Sequence, residues 1–479
     1  MSRPVPLLFA LCSLLFFFAL GNHQLQGSTE ARVAGIAMEM HLDNDWVTPR
    51  LFSEPFLEKP PLSLWFDAAA IRAFGGTPWA VRLTSAFAGL FSVMLLYAML
   101  RRLGRPVSVA WTAAILLATM ASYWSNVRGV GEDALLALGV STALLAFLAG
   151  QRQPGIGNGL LFAAGMAIAT LSKGVLGLAM PGVVIFAYLL STSLMDKRLN
   201  LSGWLRPGLL TLLGLVPLVI WLAVLYQRGG AHAVAEVLLT NSVGRFSGSF
   251  VEAGHYEPFY YYLAKLPEAF LPWNILVYLG LWHFRRSLVS NRYLLFFCLW
   301  LLAQFAMLSL ASSKRTVYLM SLTPAAAVIA AEYAAVLLER LKAREGSATW
   351  LGRIASHRNG LMAGILAVVI GGYFVAAQWA APWADSSLSF LPLTEQIQSM
   401  QANGQQVALF QANERVGGAS VFYTRSLLKG LSTEAQLHTY LDASPSHIAL
   451  LSGDTEPAAP LKVIKTMKVG RQSYYFVGQ

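Results

Sequence analysis

Charge is scarce in this chain of 479 residues: charged side chains make up 12% of it and hydrophobic ones 56%. Soluble domains carry about 25% charged residues, so a water-soluble globular protein is excluded and a polytopic all-α membrane protein is expected. Cysteine is scarcer still. Cys12 and Cys298 both lie in apolar runs, which supports neither a disulfide framework nor a metal-thiolate site and leaves them as packing residues. No internal repeat of the transporter kind is visible. No convincing small-x-small cleavage site follows the first apolar run, 6–20, so it is expected to stay as an uncleaved first helix.

What is present in quantity is the bilayer-length apolar run. After 6–20 come 80–100, 106–124, 132–150, 157–174, 175–194, 207–227, 269–284, 292–311, 316–338 and 359–380. Each is close to the ~20 residues that cross a bilayer, giving about eleven transmembrane helices. The formal charge of +11 then reads as topology rather than as a nucleic-acid footprint, and no nucleic acid is expected as a partner. With a cytoplasmic N-terminus, alternate loops hold Arg101, Arg102 and Arg105, then Arg152, then Lys197, Arg198 and Arg206, then Arg285, Arg286 and Arg292, then Arg340 to Arg358. That is the positive-inside pattern, and an odd number of spans places everything after about Ala381 outside.

The outer loops hold most of the acidic residues. The first, 21–79, contains two helical patterns, 29–41 with Ser28 or Thr29 as cap and 62–74, of the kind that lies at the membrane interface. Between them stands Glu58-Lys59-Pro60-Pro61. Proline fixes its own φ and drives the preceding residue out of the α region, so Glu58 and Lys59 are presented rigidly. Arg128, Glu132 and Asp133, then Lys173, then Arg245, His255 and Glu257, then Lys314, Arg315 and Tyr318 fall on the same side. Acidic groups and several cations gathered at one face suit an anionic lipid headgroup with a base beside it, and phosphate is the natural anion.

These stretches carry a resemblance. Glu30-Ala31-Arg32 with Ile36 to Met40, Asp45 to Arg50, Phe56 to Leu62, Leu171 to Gly174 with Pro181, Arg245-Phe246, His255 with Pro258 to Leu263, Leu271 to Trp273, and Ser312 to Arg315 with Tyr318 and Pro324 follow in order. Over roughly 20–330 the chain resembles the bacterial lipid-linked-sugar glycosyltransferases of GT-C fold, the group of the lipid A aminoarabinose transferase and relatives of the protein O-mannosyltransferases. The resemblance implies an enzyme of the bacterial inner membrane that moves a sugar from a polyprenyl-phosphate donor to a lipid A, lipopolysaccharide, polysaccharide or protein acceptor, on the periplasmic side and with inversion. It implies Asp133 as an important acid and Lys59 and Arg245 as phosphate ligands, with Lys314 and Tyr318 beside them. A divalent metal cation, held by Glu58 and His255, is the one cofactor it suggests. One departure stands out: the family usually has Asp-Glu where this chain has Thr29-Glu30, and threonine cannot be a base. Glu30 is the nearest carboxylate and becomes the expected catalytic base. A lipid-linked-sugar flippase, a binding protein or an inactive paralogue is the alternative.

Beyond the spans the pattern shortens. Strands are expected at Val407–Phe410, Ser420–Tyr423, His447–Leu451 and Ser473–Val477, with helices near 393–403 and 433–442. The expected division is therefore 1–381, a GT-C-like transmembrane domain, and 382–479, a small periplasmic α/β domain without a nucleotide-binding glycine pattern.

Overall fold

The computed structural model describes residues 4–249, 255–345, 356–453, 455–457 and 461–479. Every apolar run picked out above forms helix. Among the described residues eight helices are long and apolar enough to cross a membrane, a pair bent by 65° makes a ninth, and Pro4–Phe17 and Asn274–Phe284 are shorter apolar helices. The chain is a multi-pass membrane protein.

Two expected spans are broken, each for a local reason. The run at 106–124 divides into α5 (Val107–Ala118) and α6 (Ala121–Val127). At the break the Thr119 hydroxyl donates back to the Ile115 carbonyl, and the Ala121 N–H turns to the Leu271 carbonyl at 2.8 Å, leaving the helical ladder. The run at 269–284 keeps only Asn274–Phe284 as helix, preceded by Tyr261–Ala269. Pro272, which has no N–H to donate, lies in the gap. The two runs flanking Lys173 are separate helices, α8 (Ile156–Lys173) and α9 (Val175–Asp196), joined at Gly174 with φ +53°. That left-handed turn is open to glycine at little cost.

The pairing of α7 (Asp133–Arg152) with α8 sets up the site. A Cβ on Gly139 would stand 2.4 Å from the Ala169 nitrogen, and one on Gly165 2.4 Å from the Ala143 nitrogen. Small residues therefore let the two backbones touch, as packing in lipid favours. Because the helices are antiparallel, the start of α7 is brought beside the end of α8.

The segment 21–79, expected as the first outer loop, differs from expectation in a telling way. Its helix, α2, runs Gly27–Asp43, and neither Ser28 nor Thr29 caps it; the cap position is Gln26, whose N–H donates to Glu30 Oε2 at 2.9 Å. Every residue from Ala31 to Met40 is buried, so α2 is enclosed on all sides and does not lie on the membrane surface with one face wet. The second helix, α3, spans Leu62–Phe74 as expected. Between them β1 (Arg50–Leu51) and β2 (Glu54–Pro55) form a tight hairpin whose turn residues, Phe52 and Ser53, both take positive φ. The buried Glu39 carboxylate accepts both their N–H groups, at 2.7 and 3.1 Å, and so offsets part of the strain of that turn.

The last span helix continues through the expected boundary at 381/382 and ends at Leu388. Helix Leu391–Ala402 and a five-stranded sheet follow. The strands are β3 (Gln406–Phe410), β4 (Gly430–Leu431), β5 (His447–Gly453), β6 (Lys462–Val469) and β7 (Gln472–Gly478), in the order β4-β3-β5-β7-β6. β3 pairs in parallel with β4 and β5, and β7 runs antiparallel to β5 and β6. The expected strand at Ser420–Tyr423 is instead part of helix Glu414–Thr424, capped by the Asn413 side chain. This helix is apolar on two faces, since Ala419 packs with the sheet core while Val421 and Phe422 pack with α2 and α3. Such a short run is hard to tell from a strand by pattern alone. Its contact with α2 is very close: a Cβ on Gly35 would lie 2.3 Å from the Gly418 Cα.

Candidate functional site

The α7–α8 contact puts Asp133 and Lys173 into direct hydrogen-bonded contact, and from this pair a network of charges extends across one end of the bundle. Glu132 Oε1 lies 3.2 Å from Lys173 Nζ and 2.6 Å from Lys59 Nζ. Lys59 in turn is 3.4 Å from Glu58, and Glu58 is 3.1 Å from Arg32 on α2. The Lys173 ammonium sits 4.4 Å over the Tyr318 ring. Glu58, Glu132, Asp133, Lys173 and Arg32 are all buried. The rigid Glu-Lys-Pro-Pro stretch thus supplies the middle of the network.

Electrostatics holds Glu132, Arg32 and Arg315 charged. Burial works against the Glu132 carboxylate, but Lys59 and Lys173 beside it keep it well below the usual carboxylate range. Burial likewise opposes the Arg32 guanidinium, and Glu58, Glu414 and Glu132 overcome it and raise Arg32 above its ordinary value. Arg315 is raised in the same way against burial, by Asp133 and Glu132.

Next to the network is a cavity of about 370 Å³, lined among others by Thr29, Glu30, Arg128, Asp133 and Arg315, with Ala377 and Ala381 of the last span on its flank. Arg315 donates to the Thr29 hydroxyl at 2.6 Å. The position that would carry the family's aspartate therefore holds a neutral side chain bound to a guanidinium. Arg128, at the rim, is committed to the carbonyls of Leu15, Phe16 and Ala19, where it closes the C-terminal end of α1 (Pro4–Phe17). His23 is held neutral at pH 7, its pKa pushed down to about 4 by burial and by Arg82.

Of the residues singled out in the sequence, Asp133, Lys59, Glu58 and Tyr318 come together in this network. Glu30 lines the cavity, but every acceptor position on it is engaged. Arg82 donates to both its oxygens, at 3.0 and 2.9 Å, and the N–H groups of Gln26 and Val130 donate at 2.9 and 3.1 Å. Four donors so placed tie the carboxylate expected as the base into the framework around the cavity. The Lys314 ammonium donates to the backbone carbonyls of Glu257 and Ala311, and its neighbour Arg315 faces the cavity. The backbone of exposed His255 bonds to Ser313 and Lys314. Glu58 faces two cations, and among the described residues no three His, Cys, Asp or Glu gather as a metal-ligand set. The Arg245 side chain lies outside the described residues.

Two partners had no assigned role in the sequence. Arg82, fully buried near the start of α4 (Pro78–Arg102), has a sequence signal, an ionisable residue inside an apolar span. Glu414 has none; it reaches Arg32 at 2.8 Å from the far end of the chain. With it come the Tyr423 hydroxyl, accepting from the Leu25 N–H at 2.8 Å, and Asp385, accepting from Gln24 and Gln26. The C-terminal unit is thus docked directly on the helix that frames the cavity.

Comparisons with known proteins place the chain by sequence and by fold. Residues 58–221 match the family model described as dolichyl-phosphate-mannose-protein mannosyltransferase. The undecaprenyl phosphate-alpha-4-amino-4-deoxy-L-arabinose arabinosyl transferase of Pseudomonas aeruginosa is 29% identical over 314 residues, 64% of this chain and 55% of that protein. The chain thus matches little more than half the length of that relative. The protein of the same name from Serratia proteamaculans is 25% identical over 77% of this chain and 66% of its own length. Among solved structures, ArnT from Cupriavidus metallidurans bound to undecaprenyl phosphate superposes with a TM-score of 0.78 at 22% identity, covering 98% of this chain and 97% of that one. The apo oligosaccharyltransferase of Archaeoglobus fulgidus superposes with a TM-score of 0.57 at 12% identity, over 92% of this chain and 66% of that one. The resemblance read from the sequence is borne out: in sequence and in fold, the chain is similar to the GT-C-fold glycosyltransferases that use lipid-linked sugars.

Proposed function

We propose that the protein is an inner-membrane glycosyltransferase that moves a sugar from a polyprenyl-phosphate donor to a lipid A or lipopolysaccharide, polysaccharide or protein acceptor on the periplasmic side, with inversion. The observation that carries this reading is the convergence of Lys59, Lys173 and Arg315 with Asp133 at one end of the bundle, beside a cavity. In this scheme an acceptor oxygen attacks the anomeric carbon while the bond from that carbon to the donor phosphate breaks. The electron pair leaves on the polyprenyl phosphate, whose growing charge Lys59 and Arg315 stabilise, with Arg245 as a further ligand. Asp133 takes the acceptor proton, and Lys173 over Tyr318 fixes its orientation. Glu58 positions Lys59 and Arg32. The part after Leu388 forms a periplasmic domain that braces the site.

The test is sugar transfer by the purified protein in nanodiscs, together with mass spectrometry of lipid A, glycans and secreted proteins from cells with and without the gene. Asp133→Asn should abolish transfer while polyprenyl-phosphate binding persists. Thr29, bound to Arg315 where the family has its aspartate, favours a second reading, a protein that binds lipid-linked sugar without transferring it. Intact binding by the unaltered protein, with unchanged glycosylation in every fraction, would establish that second reading instead.

A further inference from the structure

At the opposite end of α7 there is a second cavity, of about 310 Å³. The 20 residues of α7 separate it from Asp133 by about 30 Å, so it is no part of the charge network. It lies at the end of the bundle that bears the basic loops, which the positive-inside rule makes the cytoplasmic one.

Its walls come from the ends of α7 and α9, the turn after α9, and the start of helix Arg292–Leu310. Three guanidiniums border it against a single carboxylate. Arg292 is paired with Asp196 at 2.6 Å, which leaves Arg152 and Arg198 without an ion pair among the described residues. Arg152 spends one N–H on the Leu103 carbonyl at 2.8 Å and stacks over the Tyr293 ring. Arg198 has no side-chain partner among the described residues. The rest of the lining suits the interface between a bilayer and water. Trp204 donates to the Ser193 hydroxyl at 3.3 Å, and its ring meets Phe186, which is exposed on the bundle surface. Excess guanidinium, hydroxyl groups and an indole around a space of this size match a phosphate with an apolar body attached.

We propose that this cavity binds the phosphate headgroup of an anionic phospholipid from the cytoplasmic leaflet, with Arg198 as its main contact and Arg152 and Arg292 beside it. Basic pockets between transmembrane helices on that side are suited to such headgroups. A free phosphate ion shares the chemistry but not the apolar anchor.

The full-length protein, reconstituted in phosphatidylcholine nanodiscs with and without phosphatidylglycerol, is released into a native mass spectrometer and its retained lipids are counted. Wild type should retain phosphatidylglycerol in preference to phosphatidylcholine. Arg198→Gln should weaken that preference about five-fold, and Arg198→Lys should restore much of it, because each cation near the surface contributes on that order. A parallel thermal-denaturation series with inorganic phosphate separates the sources. Stabilisation by inorganic phosphate with no lipid preference would overturn the proposal, as would equal retention of the two lipids by wild type or an unchanged preference in Arg198→Gln. Since Arg198 is exposed and unpartnered, its substitution leaves the fold intact, which the monodispersity of each variant checks.

Discussion

Replacing Glu30 by glutamine separates a structural carboxylate from a catalytic one. Glu30 receives four hydrogen bonds, two of them from the fork of Arg82, whose side chain is fully buried. The other partners of that guanidinium are the carbonyls of Leu20, His23 and Gln24, so among the described residues Glu30 is its only ion-pair partner. Glutamine offers one oxygen and one NH2, and the NH2 must face a donor. Arg82 would keep its charge in a buried place without an anion, a situation that costs about 3–5 kcal/mol. The expected outcome for Glu30→Gln is a loss of that order in apparent unfolding free energy, measured by SDS titration in mixed micelles, with poor yield of folded protein. Arg82→Gln in the same background should add much less than it does alone, with a coupling of about 2 kcal/mol between the two sites. A catalytic base would behave otherwise: stability would hold and turnover would fall by something like ~10²–10⁴. Unchanged stability with lost transfer would refute the structural assignment and return Glu30 to the mechanism.

Lys59→Ala should weaken polyprenyl-phosphate binding about 10- to 100-fold, the worth of a hydrogen bond to a charged group, as read by direct titration of the lipid in nanodiscs; unchanged affinity would remove Lys59 from the phosphate site. Gly418→Leu should force α2 away from helix Glu414–Thr424, because even a Cβ there lies 2.3 Å from the Ala31 carbonyl oxygen. Limited proteolysis should then cut the C-terminal part readily, and wild-type resistance would contradict the close crossing. Asp67 on α3 is buried, and burial pushes its carboxyl up to about 8 from an ordinary value near 3.8. The unfolded chain ionises at the lower value and the folded one at the higher, so the stability tied to this group is full below about pH 4 and is lost as pH rises to about 8. Asp67→Asn should flatten that slope in thermal denaturation across this range, and an undiminished slope would assign it to another group.

Much of this was legible in the sequence because lipid enforces it. A span must be long, apolar and satisfied within itself, so runs such as 132–150 announce their helices. The prolines after Lys59 declared a rigid polar presentation, and Lys59 does stand in the middle of the charge network. What stayed hidden depended on contacts far apart in the chain. Nothing near Glu30 in sequence indicates that Arg82 occupies it, and nothing near Arg32 indicates Glu414. Ser420–Tyr423 read as a strand because a helix buried on two faces loses its 3.6-residue stripe. The same cause misplaced α2, whose apolar face is wide enough to be covered by the bundle and the C-terminal unit together.

The crossing of Gly35 and Gly418 also has a bearing on the order in which the molecule is made. α2 emerges early from the ribosome, yet one of the surfaces that covers it, helix Glu414–Thr424, is translated only after the last span. Through most of synthesis the buried stretch Ala31–Met40 therefore waits without that partner, exposed to chaperones and proteases. The framing of the cavity is completed only when helix Glu414–Thr424 has been made and has docked. Chains that stall before residue 414 would be expected to insert their spans and still be cleared.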